Sequence, residues 1–310
     1  MQGSTRVDKA LTNFSVQYRN NEAIFPKFLP QIPVKNESDV YWTHVRDFSL
    51  SETRRANGAP ANAVTHSAST GSYNLNEHAL KDRITDRDME NTDNVLQLRV
   101  STMEMLQDEI MLRQEVEVHQ VLFTTTTFSN NVSLDTNSSW VGNTTTSAPV
   151  QIVLSGTSVI VQNSGKHPNT MIMGNNAFDS LRENVNIQER IKYVEKSIIT
   201  EQIIASLFDI QNVHVGRMAI DTSQEGLETT TNLGFVWDNA KALLAYFSPA
   251  SLKMAGAAVS FRKMSKGNPW RVKRWRDENI EADWIEVQSM FDIKATATLS
   301  GYLFSSVTTV

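Results

Sequence analysis

The chain has 310 residues, enough for about two ordinary domains, and only 40% of them are hydrophobic, which predicts a modest core for this length. Its net charge of −5 argues against a dedicated nucleic-acid-binding protein, which would carry a basic face. The absence of cysteine excludes disulfides and thiolate chemistry, and no apolar run approaches the length of a transmembrane helix or of a secretory signal.

The first 38 residues combine three prolines with regularly spaced aromatic residues. Because proline fixes φ and lacks an N–H group, this composition predicts an extended arm. Such an arm either packs on its own subunit or reaches across a neighbouring one. The aromatic residues that would anchor it are Phe14, Tyr18, Phe25 and Phe28.

Residues 39–48 and 73–85 read as two strands, and the small, polar residues 49–72 between them read as a loop. Together they predict a long two-stranded finger. An isolated hairpin is marginally stable in water, so the finger needs a partner surface. Arg54 and Arg55 near its tip either engage acidic groups of a neighbour or remain solvated.

Residues 91–124 lack glycine and proline and predict one long helix. At about 1.5 Å per residue, such a helix would span roughly 45 Å. Asp93 marks its predicted start, and the threonines at 124–127 mark its end. Its apolar stripe comprises Leu96, Val100, Met103, Leu106 and Ile110.

The rest of the chain mixes short helices with strands, which predicts an α+β fold. From residue 210 onwards strands predominate. The elements predicted before that point are a polar hairpin at 129–147 with Trp140, a helix at 148–163 with Pro149 in its first turn, a strand at 171–173, a helix capped by Asn175 and Asn176, and a helix at 198–208.

No local motif predicts catalysis or ligand binding. The six histidines have no metal-ligand spacing, and neither a phosphate-binding loop nor a nucleophile elbow occurs. We therefore expect no catalytic residue, no cofactor and no metal site. Residues 270–276, WRVKRWR, either contact nucleic acid or form an amphipathic strand neutralised by nearby acids, and we favour the strand.

The order of these parts resembles the major capsid proteins of tailed bacteriophages, which have the Hong Kong 97-type fold. The resemblance covers nearly the whole chain, and no single motif is diagnostic. The matching segments are the arm at 10–34, the E-loop at 39–86, the spine helix at 91–123, the peripheral segment HPNTMIMGNNAFDSLREN, the axial segments at 203–220 and 235–249, and the C-terminal DIKATATLSGYLFSSV.

The resemblance implies four structural parts. These are an N-terminal arm (1–38), an E-loop hairpin (39–90), a peripheral domain (91–200 and 287–310, with the spine helix at 91–124) and an axial domain (201–286). It also implies that the aromatic anchors named above, together with Arg54 and Arg55, contact neighbouring subunits.

The implied function is that of a non-enzymatic major capsid protein. It would assemble as pentamers and hexamers into an icosahedral shell around double-stranded DNA, and portal, scaffolding and decoration proteins would be further partners. We expect assembly in the bacterial cytoplasm, a place in the virion and no membrane contact. Two alternatives remain: an encapsulin-type nanocompartment shell, and a hydrolase whose site is assembled by the fold.

The chain differs from well-known members of this family in two ways, and each difference leads to a prediction. The E-loop of one such member is cross-linked through a lysine, but residues 36–80 of this chain contain none. We therefore expect no covalent cross-linking of that kind. No long, charged helical segment precedes the arm, so we expect scaffolding to be a separate protein or to have been removed.

Overall fold

The computed structural model describes residues 6–7, 23–44, 52–55, 57–58, 60–63, 68–92, 95–135, 138–141, 147–192, 199–221, 233–249, 256–264 and 267–308. Its strands are β1 (Arg6–Val7), β2 (Gln31–Val34), β3 (Ser38–His44), β4 (Ala68–Asn74), β5 (Asn76–Thr85), β6 (Asn131–Ser133), β7 (Thr170–Gly174), β8 (Asn212–Gly216), β9 (Ala219–Asp221), β10 (Leu233–Phe235), β11 (Ala242–Ala245), β12 (Ala258–Lys263), β13 (Arg271–Asp277), β14 (Ala282–Ala295) and β15 (Gly301–Ser305). Its α-helices are α1 (Phe25–Phe28), α2 (Asp86–Glu90), α3 (Val95–Leu122), α4 (Pro149–Ser164), α5 (Asn175–Glu183), α6 (Val185–Ile191) and α7 (Glu201–Leu207).

The larger sheet has six strands. Five follow the order β1-β13-β14-β12-β2, and the sixth, β5, pairs with the edge of β14 that lies opposite β13. Only the β12–β2 pair is parallel. Alternate residues of β14 are buried because one face of the sheet packs against α3. Met103 and Ile110 of α3 share this core with Ile285 and Val287 of β14.

The second sheet has five strands in the order β6-β15-β11-β7-β8. Every residue of β7 is buried, as expected for a strand covered on both faces. The helices α4, α5 and α7 pack on this sheet and enclose a second core. Helix α4 has Pro149 at its start and ends at Gly165 with φ of 63°, which confirms the predicted helix and its first turn.

The finger consists of β3, β4 and the residues 45–67 that connect them. Its two strands pair antiparallel, from Ser38 opposite Asn74 to His44 opposite Ala68. Its base is fixed to the larger sheet, because the rings of Tyr41 and Tyr73 lie 5.0 and 4.6 Å from the ring of Phe261. Gly71 makes this contact possible, since a Cβ atom there would lie 2.5 Å from Cζ of Tyr41.

The long helix is confirmed. Helix α3 has 28 residues, so it spans about 42 Å. It ends before Thr124, as predicted, whereas its predicted start at Asp93 lies outside the described residues. The short helix α2 precedes it and begins with a capping box between Thr85 and Asp88.

Three local predictions were wrong. The predicted strand at 73–85 is divided at Leu75, and only its first two residues belong to the finger, because β5 pairs with β14 instead. Within 129–147 the one described strand, β6, pairs in parallel with β15 rather than in a local hairpin. Asn175 and Asn176 do not cap α5, because Gly174 occupies the N-cap position.

The sheets divide the chain differently from the predicted domains. Strand β7 lies before the predicted boundary at 200/201, yet it pairs with β8 beyond it. Strand β14 runs through the predicted boundary at 286/287 without interruption. Each sheet is therefore assembled from distant segments, and sequence position alone does not separate the two units.

Candidate assembly site

The carboxylate of Glu115 joins three segments of the chain. It lies on α3 and is fully buried. Its two oxygens accept hydrogen bonds from the backbone N–H groups of Ile24 and Phe25, at 3.2 Å each, and Oε1 also accepts one from the indole N–H of Trp237 at 2.6 Å. The long helix thereby fixes both the N-terminal segment and the chain leading into β11.

Phe25 and Phe28 are buried inside this subunit, at 1% and 8% exposure. The ring of Phe28 lies 5.1 Å from that of Phe247 and 6.1 Å from that of Trp237. The prediction that these two aromatics contact a neighbouring subunit is therefore corrected, because both serve the core of their own chain. The other two predicted anchors, Phe14 and Tyr18, lie outside the described residues.

Burial raises the pKa of Glu115, because it disfavours the charged carboxylate. The indole of Trp237 and the two backbone N–H groups oppose this shift by donating to the charged form. The three hydrogen bonds reduce the free-energy cost of burying the carboxylate. The carboxylate in turn satisfies three donors that would otherwise be buried without partners.

Two histidines border the same junction. Nε2 of His119 accepts a hydrogen bond from the backbone N–H of Asp238 at 3.3 Å, and burial lowers the pKa of this histidine. The ring of His214 lies 5.9 Å from that of Phe28. Burial, assisted by the charge of Lys27, lowers the pKa of His214 to about 4.

We expect His214 to make the subunit sensitive to acid. Its pKa in the folded state lies below its unfolded value of 6.5, so stability is complete above pH 6.5 and is lost as the pH falls towards about 4. Allowing for partial exposure, the loss is about 2 kcal/mol. Urea unfolding of His214→Gln should show a correspondingly shallower pH dependence in this interval.

The matched control for that experiment is His167→Gln, because the side chain of His167 is half exposed. This variant removes a histidine that is not buried, so it separates the effect of burial from the simple loss of an imidazole. Identical pH profiles for wild type and His214→Gln would contradict the assignment.

The finger presents a different kind of surface. Val40 and Trp42 of β3 are 55% and 61% exposed, whereas Tyr41 between them faces the larger sheet. Arg54 and Arg55 are exposed. An apolar strand face followed by two arginines is suited to binding another protein surface.

An ion-pair cluster fixes the first turns of the long helix to the adjoining ends of β13 and β14. Arg99 of α3 lies 2.8 Å from the carboxylate of Asp283, which Arg274 approaches to 3.5 Å. Arg276 pairs in a bidentate manner with Asp86 of α2. These pairs agree with the amphipathic-strand interpretation of residues 270–276. Together with Glu286, which pairs with Lys273, nearby acids neutralise three of its four cations.

Neither a metal centre nor a membrane span appears in the described part of the chain. No three His, Asp or Glu side chains within it converge as metal ligands would. None of its helices is long and apolar enough to cross a bilayer.

The comparisons with known proteins point in one direction. No protein-family model matches the chain. A major capsid protein of Burkholderia phage BcepMu is 26% identical over 97% of this chain and 96% of its own length. A phage-related protein from Bordetella bronchiseptica superposes with a TM-score of 0.79 at 19% identity, covering 98% of both chains. The capsid protein of cyanophage P-SCSP1u superposes with a TM-score of 0.59 at 10% identity over 93% of this chain and 89% of its own.

The chain is a capsid shell protein with the Hong Kong 97-type fold. Its relatives are structural proteins of phage particles, so the shell protein is a virion component and not an enzyme. The hydrolase alternative has no support among these relatives. The encapsulin alternative has weaker support, because the full-length sequence similarity is to a phage capsid protein.

Sequence reasoning missed the junction around Glu115. The available signal was the pair Gln114–Glu115, which follows Ile110 at helical spacing and so falls where the apolar stripe should continue. The structure buries both side chains. The partners of Glu115 come from segments on average about 100 positions away, which no local pattern identifies.

Proposed function

We propose that this shell protein forms pentamers and hexamers that close into an icosahedral head around double-stranded DNA. Assembly would take place in the bacterial cytoplasm, with portal, scaffolding and decoration proteins as further partners. The observation that carries this proposal is the full-length similarity to a phage major capsid protein, combined with a finger that exposes Val40 and Trp42.

The finger is the element best suited to join subunits. Its base is fixed by Tyr41 and Tyr73, so the direction in which it leaves the body is set by the subunit itself. Many weak contacts of this kind, repeated around closed rings, give strong overall binding. Arg54 and Arg55 are the predicted contact residues that we retain for this role.

We also propose revised positions for the two domains. Helix α3, which corresponds to the spine helix, packs on the six-stranded sheet, so this sheet belongs to the peripheral domain. The five-stranded sheet with α4, α5, α6 and α7 would then be the axial domain. This arrangement places the described parts of 131–245 and the strand β15 near the capsomer axis.

Electron microscopy of the purified protein tests the proposal. The protein would be expressed alone and together with the products of neighbouring genes. Closed shells or rings of five and six subunits are expected. A clean monomer under every condition would contradict it, and shells that enclose an enzyme and no DNA would favour the encapsulin alternative.

Assembled particles should contain no covalent links through the finger. Residues 36–80 include no lysine, so the finger cannot supply the lysine of a lysine–asparagine bond. Denaturing electrophoresis of mature particles should give a single band near 34.8 kDa. A ladder of covalent multimers would refute this expectation.

A further inference from the structure

Within the described ranges of the chain, one face of the six-stranded sheet is only partly covered. Helix α3 packs on the opposite face, and the base of the finger covers this one near β12. The part that remains uncovered, here called the open face, comprises three rows of residues that pair across β5, β14 and β13. The rows are Arg83–Trp284–Trp275, Lys81–Glu286–Lys273 and Ala79–Gln288–Arg271.

The open face is basic although the chain as a whole is acidic. It carries four cations and a single carboxylate, that of Glu286, so its net charge is +3 against −5 for the whole chain. Glu286 pairs with Lys273 at 2.9 Å. Lys81, Arg83 and Arg271 form no ion pair with any described residue and are exposed. Three cations are therefore available to a ligand.

The basic area is small. Asp277 bounds it beyond the first row, and Glu77 bounds it beyond the third. Three rows span about 14 Å along the strands, and three strands span about 10 Å across them. A patch of this size, with acidic ends, suits a few carboxylates on a short segment better than a continuous line of phosphates.

The tryptophan rings of the open face already contact each other and the side chain of Lys81. The rings of Trp275 and Trp284 stack with centroids 6.2 Å apart, and Nζ of Lys81 lies 4.6 Å from the centroid of Trp284 and 5.9 Å from that of Trp275. Base stacking on aromatic rings is the main attraction of single-stranded nucleic acids. Because Lys81 covers these rings, the open face offers charge but little stacking surface.

We infer that the open face binds an acidic segment of a second copy of this chain. Subunits with a net charge of −5 repel one another, so a basic surface that contacts an acidic one favours assembly at moderate ionic strength. Arg83 and Arg271 each present a guanidinium fork that binds a carboxylate through two hydrogen bonds. The inference rests on the proposed shell assembly and names one of its contacts.

The first test removes the three unpaired charges. The variant Lys81→Gln/Arg83→Gln/Arg271→Gln should assemble at least about tenfold more slowly than wild type, because charge complementarity governs the rate of encounter. Its thermal unfolding as a monomer should change only slightly, since all three residues are exposed and only the contact of Lys81 with the tryptophan rings is lost. The matched control is Arg182→Gln/Arg190→Gln/Lys192→Gln, which loses the same charge from exposed positions beside the second sheet and should assemble normally.

The second test identifies the acidic partner by carbodiimide cross-linking. The reagent activates a carboxylate, the amine of Lys81 or Lys273 attacks it, and an amide forms while the carbodiimide leaves as a urea. Shells would be assembled from an equal mixture of normal and heavy-nitrogen-labelled protein. Peptides that join Lys81 or Lys273 to an acidic residue should then include mixed-isotope pairs, which arise only between two copies.

The outcomes separate this inference from the proposed function. Failure of wild type to assemble under any condition would refute both. Normal assembly of the triple variant, or cross-links only within one copy, would overturn the inference and leave the shell function intact. If the triple variant assembled normally but no longer retained a short DNA duplex bound by wild type, the open face would be a nucleic-acid surface instead.

Discussion

Glu115→Ala should strongly destabilise the subunit. The change leaves the N–H groups of Ile24 and Phe25 and the indole N–H of Trp237 buried without an acceptor. Each unsatisfied donor costs about 1–3 kcal/mol, so a total of about 3–5 kcal/mol is expected after relaxation. Chemical unfolding of the purified monomer, followed by tryptophan fluorescence, measures this loss directly.

Glu109→Ala is the matched control, because it removes an exposed carboxylate from the same helix. It should change the free energy of unfolding by less than about 0.5 kcal/mol. Glu115→Gln should fall between the two, since an amide keeps one acceptor oxygen but places an N–H₂ group against one of the donors. Equal stability of Glu115→Ala and Glu109→Ala would disprove the role assigned to the junction.

Removing residues 49–67 should abolish assembly while the subunit remains folded. The deletion spares the base of the finger, where Tyr41 and Tyr73 contact Phe261. It removes Arg54 and Arg55 and shortens the reach of the finger to its neighbours. Because the contact recurs at every subunit of a closed shell, the yield of particles should fall by at least about 100-fold.

Particles would be counted by electron microscopy and by sedimentation. Replacing residues 49–67 with a Gly/Ser segment of equal length separates loss of reach from loss of side chains. A point variant adds detail: Trp42→Ser should impair assembly, whereas Val185→Ser, which changes another exposed apolar residue, should not. Normal particles from the deletion variant would show that the finger does not join subunits.

The sequence predicted those parts of the fold in which one physical rule acts alone. Helix α3 was predictable because a long run without glycine or proline, with an apolar stripe, has few alternatives. Helix α4 was predictable because Pro149 suits its start and Gly165 its end. Strand β7 was predictable as a short apolar run that ends at a glycine.

The parts that failed depend on distant partners. Strand β6 has three residues, and its parallel pairing with β15 joins positions more than 170 residues apart, as the contact between Ser133 and Ser306 illustrates. The sheets cross the predicted domain boundaries for the same reason, since each sheet contains strands from both halves of the chain. Arg54 and Arg55 were proposed from the sequence, and their contact with a neighbouring subunit stays a prediction. The role of Glu115 became visible only in the folded structure.

The parallel pair of β2 and β12 has a consequence for how the subunit is made. Arg262 of β12 donates to the side chain of Gln31 in β2, and 231 positions of chain separate them. During synthesis β2 remains unpaired until β12, and with it nearly the whole polypeptide, has left the ribosome. Long-range pairings of this kind slow folding and expose apolar surface to aggregation. Production of functional subunits should therefore depend on chaperone capacity in the host cell.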